Sequence, residues 1–142
     1  KVINDTFGHQ KGDEVLREFS ATVQRALRDT DVIARWGGEE FLLLINDTAP
    51  ELASICVDRA RELLAAEPLL PHMPDLKVTF SAGLTGYFDI EDLSTCIDRA
   101  DQALYRAKAN GRNRTVIDDK PKRIRFDGSE IGIAEEPEAF KV

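Results

Sequence analysis

Apolar positions along the chain switch between helical and extended spacing. Residues 1–12 are rich in turn formers (Asn4-Asp5, Gly8-His9, Gly12-Asp13). From there Val15, Leu16, Phe19, Val23 and Leu27 fall on one helical face, with Glu14, Arg17, Glu18 and Arg25 off it. That spacing predicts an amphipathic helix with Asp13 as its N-cap. A polar break at 29–31 leads into Val32–Trp36, the run Gly37-Gly38-Glu39-Glu40, and a continuous apolar stretch, Phe41–Ile45. Two apolar runs around a Gly-Gly predict a hairpin, its second strand buried on both faces. Thr48-Ala49-Pro50-Glu51 reads as a capping box with proline in the first turn, opening a helix whose inner side carries Leu52, Ile55, Cys56, Leu63 and Leu64. After an irregular stretch from Pro68 to Pro74, Val78–Ala82 predicts a strand with Gly83 at its end. Leu93–Ala109 predicts a third helix, with Leu93, Ile97, Ala100, Leu104 and Ala107 as its stripe and Gly111 as its stop; Thr115–Ile117 predicts a short last strand.

Helices alternating with strands place the chain in the α/β (α+β) class, a mixed sheet covered by helices. Residues 1–117 form one domain. Residues 118–142 turn charged and proline-containing and read as a C-terminal tail or linker, with a strand candidate at Arg123–Phe126. The total of 142 residues suits one domain. The first residue is Lys1 and the one methionine is Met73, so the sequence reads as an internal piece or a processed product.

Composition narrows the partners. A net charge of -7 argues against a nucleic-acid polymer, which needs a broad basic surface, but leaves room for a small phosphate-bearing ligand held by a few cations. No apolar run has the length of a membrane span, so a cytoplasmic location is expected, with any membrane anchor lying upstream. Cys56 and Cys96 sit in helical segments outside any CxxC or Cys/His cluster and read as half-buried thiols.

Three constellations carry candidate chemistry. In Gly37-Gly38-Glu39-Glu40-Phe41 the glycines allow main chain to approach a ligand closely, and the adjacent carboxylates suit a hard cation such as magnesium. From the residues alone the commoner reading is a turn whose glutamates only face water. Lys108 and Arg112, four apart at a helix end, make a phosphate clamp or simply complement the helix dipole. Arg28-Asp29-Thr30-Asp31 offers a fork for a guanine edge or phosphate, or a solvent-exposed ion pair.

The blocks Asn4-Asp5-Thr6-Phe7-Gly8-His9, Gly12-Asp13, Ala34-Arg35-Trp36-Gly37-Gly38-Glu39-Glu40-Phe41, and Ala100 to Lys108 with Gly111-Arg112-Asn113 resemble the GGDEF (diguanylate cyclase) family, in its order and spacing, over residues 1–117. The resemblance implies a palm-like βααββαβ nucleotidyl-cyclase fold and condensation of two GTP into cyclic di-GMP with release of pyrophosphate. It implies guanine recognition by Asn4 and Asp13, substrate approach at Gly38, and triphosphate contacts from Lys108 and Arg112. Glu39 matches the metal-binding and proposed base position, with Glu40 supporting a Mg2+ or Mn2+ site. Arg28 and Asp31 match an RxxD product-inhibition site five residues ahead of the signature, and Arg59 matches a second arginine on bound cyclic di-GMP. A homodimer is implied, since one domain holds one GTP, as is an upstream input domain of bacterial signalling type.

One departure tempers this. The family pattern places a central strand, Asp-x-Asp-x-Phe-Lys, ahead of the Asn-Asp block, and Lys1 matches its final lysine. That first strand and its metal-binding aspartate are expected to be missing from this chain, so the piece alone is expected to be inactive where the longer protein is active. The competing reading is a module without catalysis that binds cyclic di-GMP or GTP as a receptor.

Overall fold

The computed structural model describes residues 8–87 and 91–118, and the backbone of 139–141. Its elements are α1 (His9–Ala26), β1 (Val32–Gly37), β2 (Glu40–Leu44), α2 (Pro50–Ala66), β3 (Ala82–Thr85), α3 (Leu93–Ala109), β4 (Thr115–Asp118) and β5 (Ala139–Lys141). They build one five-stranded mixed sheet in the order β1-β2-β5-β3-β4. β1 and β2 form the expected antiparallel hairpin, with Val32 opposite Leu44 and Arg35 opposite Phe41, and the register shifts between Arg35 and Gly37. β3 and β4 run parallel, Ala82 opposite Thr115.

Helices cover both faces of the sheet. On one, α1 and α2 pack together over Phe41, Leu43, Ala82 and Leu84, all buried with Val15, Phe19, Val23, Val57 and Leu64 in one core cluster. Phe19 joins the layers, its ring centroid 5.1 Å from that of Phe41 and 5.5 Å from that of Phe80; such aromatic pairs add about 1 kcal/mol each beyond their buried area. On the other face α3 lies so close to β3 that a Cβ on Gly83 would sit 2.2 Å from the carbonyl oxygen of Ala100 and 2.3 Å from the amide nitrogen of Leu104. Gly83 is therefore a crossing point and not the end of a strand. The expected strand Val78–Ala82 is corrected accordingly: pairing begins at Ala82, whose amide donates to the carbonyl of Arg114, and runs on to Thr85.

Two helix readings change as well. α1 begins at His9 and not at Asp13, which lies inside the helix; the cap position is Gly8, at φ 83°, and its carbonyl accepts from the Gly12 amide. In α2 the buried stripe is Ala53, Val57, Ala60 and Leu64, whereas Leu52 and Ile55 are 59% and 62% exposed. Alanines at two of the four inner positions let α1 and α2 approach closely, and a pattern weighted toward large side chains points to the wrong face. The capping box is not formed. Ala49 is the N-cap, and the Thr48 hydroxyl donates to the Asn46 carbonyl instead. α3 has the expected bounds, capped by Asp92, whose carboxylate accepts from the Thr95 amide at 2.7 Å and is thereby held below the usual carboxylate pKa range. Leu93 is exposed at its outer start, and Cys96 is fully buried.

The segment read as a tail or linker contributes β5 to the middle of the sheet, antiparallel to both β2 and β3. The strand candidate at Arg123–Phe126 lies outside the described residues, and among the described residues no helix is long and apolar enough to cross a membrane.

Candidate functional site

The β1–β2 turn takes its shape from its glycines. Gly38 adopts φ 55°, a conformation that a side chain disfavours, and this closes the turn so that Glu39 and Glu40 follow at its tip. Arg35 braces the turn from β1: its Nε donates to the Gly38 carbonyl at 2.9 Å, and its Nη1 lies 3.8 Å from Asp13 Oδ1 on α1. Opposite, α3 ends in a reversal. Gly111 sits at φ 105°, Arg112 at 59° and Asn113 at 46°, with the Arg112 amide donating to the Ala107 carbonyl. Two consecutive non-glycine residues in the left-handed region cost about 1 kcal/mol or more each, so the surrounding structure must hold this geometry in place.

Between them lies a cleft of about 670 Å³, lined by Asp13, Gly38, Glu39, Glu40, Lys108 and Arg112 among others. Lys108 Nζ stands 3.9 Å from Glu40 Oε1 across it, both side chains partly exposed. The cleft floor is apolar, from Val15, Leu16, Phe19, Phe41 and Phe80. An apolar floor with acids on one wall and cations on the other suits a ligand with a flat ring and a charged phosphate end. Asn4, the other residue expected at the guanine edge, lies outside the described residues.

As metal donors the two carboxylates of Glu39 and Glu40 fit a hard divalent cation. Among the described residues no group of three or more acidic, histidine or cysteine side chains is assembled to hold one.

The residues expected at a second site, Arg28, Asp31 and Arg59, lie near the junction of α1 and α2. Asp31 is only 3% exposed, and its carboxylate accepts from the Arg28 amide at 2.9 Å and from the Asn46 amide at 3.2 Å. The Arg28 guanidinium reaches the Thr48 hydroxyl at 3.4 Å, and that of Arg59 donates to the Ala26 carbonyl at the end of α1. Arg28 and Arg59 are exposed residues whose guanidinium groups bond to Thr48 and Ala26, while the Asp31 carboxylate is buried.

Arg35 is the side chain lining the cleft that sequence reasoning did not single out. It was visible in the Ala34-Arg35-Trp36 block, but its partners, a main-chain carbonyl and a helix residue, appear only once the hairpin and α1 are packed together.

The model of the diguanylate cyclase GGDEF domain matches residues 1–114. The chain belongs to the GGDEF family. Its relatives include diguanylate cyclase A of Treponema denticola, 39% identical over 118 residues that make up 82% of this chain and 32% of that protein. Among solved structures, the active GGEEF domain of a diguanylate cyclase from Vibrio cholerae is similar with a TM-score of 0.73 at 36% identity, covering 84% of this chain and 76% of that one. The GGDEF domain of DgcB from Caulobacter crescentus, in complex with c-di-GMP, is similar with a TM-score of 0.73 at 30% identity, covering 81% of this chain and 69% of that one. The palm-like cyclase fold is therefore the fold of this GGDEF domain, although the chain spans about a third of the length of the Treponema relative.

Proposed function

We propose that this domain is a diguanylate cyclase that joins two GTP into cyclic di-GMP and releases two pyrophosphates. The observation that carries the proposal is the convergence of Asp13, Glu39, Glu40, Lys108 and Arg112 on one cleft within a GGDEF fold. Asp13 accepts from guanine N–H groups, together with Asn4. Lys108 and Arg112 neutralise the triphosphate, Lys108 as a point charge and Arg112 as a two-pronged donor. Arg35 holds the Gly38 turn so that the main chain there lies against the phosphates. Glu39 and Glu40 are the donors for Mg2+ or Mn2+, which when bound would polarise the α-phosphate and favour ionisation of the attacking hydroxyl. Glu39, which lines the same cleft, is the candidate proton acceptor for that hydroxyl. Since one cleft accommodates one GTP, the reaction brings two copies face to face, and positioning and charge neutralisation supply most of the acceleration.

We further propose product inhibition at the α1–α2 junction. Its support is that the exposed residues Arg28 and Arg59 both bond to groups at this junction, with Asp31 accepting from the Arg28 amide. Arg28→Ala is expected to leave the initial rate unchanged and to raise the rate at micromolar product; inhibition curves identical to wild type would remove the site.

The test of the cyclase is incubation with GTP and Mg2+ followed by chromatography, on this chain and on a longer form carrying the Asp-x-Asp-x-Phe-Lys strand. Cyclic di-GMP that disappears in Glu39→Ala supports the enzyme. No product from either form, with cyclic di-GMP binding that is lost in Arg28→Ala, supports the receptor.

A further inference from the structure

The two walls of the cleft are turned by the same device. On the hairpin side, Gly38 stands at φ 55° and the Nε of Arg35 donates to its carbonyl. On the helix side, the chain leaves α3 through Gly111, Arg112 and Asn113, all at positive φ, and the Nε of Arg114 donates to the Arg112 carbonyl at 3.2 Å. In each case an arginine grips a main-chain carbonyl within a turn that faces the ligand space.

Ending α3 accounts for only part of this geometry. Asn110 is the C-cap, so the Arg112 amide on the Ala107 carbonyl, at 3.0 Å, is the long bond of a helix-ending motif. That motif calls for one left-handed residue just past the cap, and Gly111 supplies it. Arg112 is left-handed as well, at φ 59°, where a residue with a Cβ and no short polar side chain is disfavoured; Asn113 is of a type that tolerates the region. Arg112 therefore holds a conformation that neither its own preference nor the helix end demands. Such strain persists only where neighbouring groups fix it.

Arg114 fixes it from both of its ends. Its main-chain carbonyl accepts from the Ala82 amide at 2.9 Å, which ties its backbone to the start of β3. Its side chain folds back over the turn, with Nε on the Arg112 carbonyl and the guanidinium against Gly111, where a Cβ would lie 3.3 Å from Nη2 and 3.9 Å from Cζ. The lining of the cleft includes Arg112 and stops short of Arg114. We propose that Arg114 is a positioning residue, which holds Arg112 in its left-handed conformation and so keeps the Arg112 guanidinium at the triphosphate of GTP. What the site uses is the Nε donor of Arg114 and not its charge. The inference rests on the triphosphate role proposed above for Arg112, and one arm of its test uses no nucleotide.

The experiment compares wild type, Arg114→Met and Arg114→Gln in the longer form carrying the Asp-x-Asp-x-Phe-Lys strand. Gln places an amide nitrogen where Arg114 has Nε, so it keeps the donor without the charge, whereas Met loses both. By NMR without nucleotide, amide exchange at Arg112 is expected to be about fivefold faster in Arg114→Met, to return to the wild-type rate in Arg114→Gln, and to stay unchanged at Ala103 and Leu104 throughout. By calorimetry with Mg2+ and 3′-deoxy-GTP, which lacks the attacking hydroxyl, affinity is expected to fall about fivefold in Arg114→Met and to be restored in Arg114→Gln. Both differences in affinity should vanish in an Arg112→Ala background. Arg112 exchange in Arg114→Met equal to wild type would overturn the proposal. So would an Arg114→Gln variant that binds as weakly as Arg114→Met, since charge would then be what matters. The expected exchange pattern with nucleotide affinity indifferent to Arg112→Ala would overturn it through the triphosphate role on which it rests.

Discussion

Two places in this molecule are built from arginine and aspartate, and they use them in opposite ways. At the α1–α2 junction the Asp31 carboxylate is 3% exposed and accepts from two main-chain amides, so the fold itself satisfies it. At the cleft, Asp13 keeps a side chain that is 66% exposed, meets Arg35 only at 3.8 Å, and stands beside 670 Å³ of open volume. A carboxylate already satisfied by main chain is an element of the scaffold, since removing it leaves those amides without an acceptor. A carboxylate at the rim of a cleft with a long, exposed ion pair contributes little to stability and remains available to a ligand. Residue type therefore does not separate scaffold from site; the number of internal partners does.

The contrast is testable, and its largest expected effect is on Asp31. Asp31→Ala should cost about 2 kcal/mol of stability, because two partly buried main-chain amides lose their acceptor. A chemical denaturation midpoint unchanged from wild type would place Asp31 with the ligand-facing residues. Next comes Glu39→Ala, expected to lower cyclic di-GMP formation by about 100-fold or more while changing stability by less than about 0.5 kcal/mol. A large loss of stability there would erase the distinction between the two regions. Arg35→Ala removes one hydrogen bond to the Gly38 carbonyl and a long ion pair, so about 1 kcal/mol of stability and about tenfold in turnover are expected, with the thermal melt and the kcat read on the same sample. The smallest stability effect belongs to Asp13→Ala, less than about 0.5 kcal/mol, with the loss appearing as a raised KM for GTP.

What the sequence made legible was what local signals specify. The Gly37-Gly38 hairpin and the bounds of α3 follow from turn chemistry and periodicity, and both stand in the structure. So does the gathering of Asp13, Gly38, Glu39, Glu40, Lys108 and Arg112, which the motif blocks announced one at a time and the fold brings to one cleft. The misreadings share a cause in packing between elements. The inner face of α2 is set by Ala53 and Ala60, whose value lies in letting α1 approach and not in their own hydrophobicity. β3 is displaced because Gly83, taken as a stop, is the residue over which α3 crosses. The Asp13 cap failed because a glycine at φ 83° begins the helix a turn earlier. β5 had no local signature at all, since the demand for a strand there comes from the facing edges of β2 and β3. Arg35 stood within a quoted block, yet its partner Asp13 is far away in sequence.

The most direct test of the central claim is to incubate the purified longer form, carrying the Asp-x-Asp-x-Phe-Lys strand, with GTP and Mg2+, resolve the products, and measure GTP binding in parallel for wild type, Glu39→Ala and Lys108→Ala. The account predicts cyclic di-GMP and pyrophosphate from wild type, loss of product with a folded domain in Glu39→Ala, and weakened GTP binding in Lys108→Ala. GTP binding unaffected by Lys108→Ala, or cyclic di-GMP formed undiminished by Glu39→Ala, would contradict it.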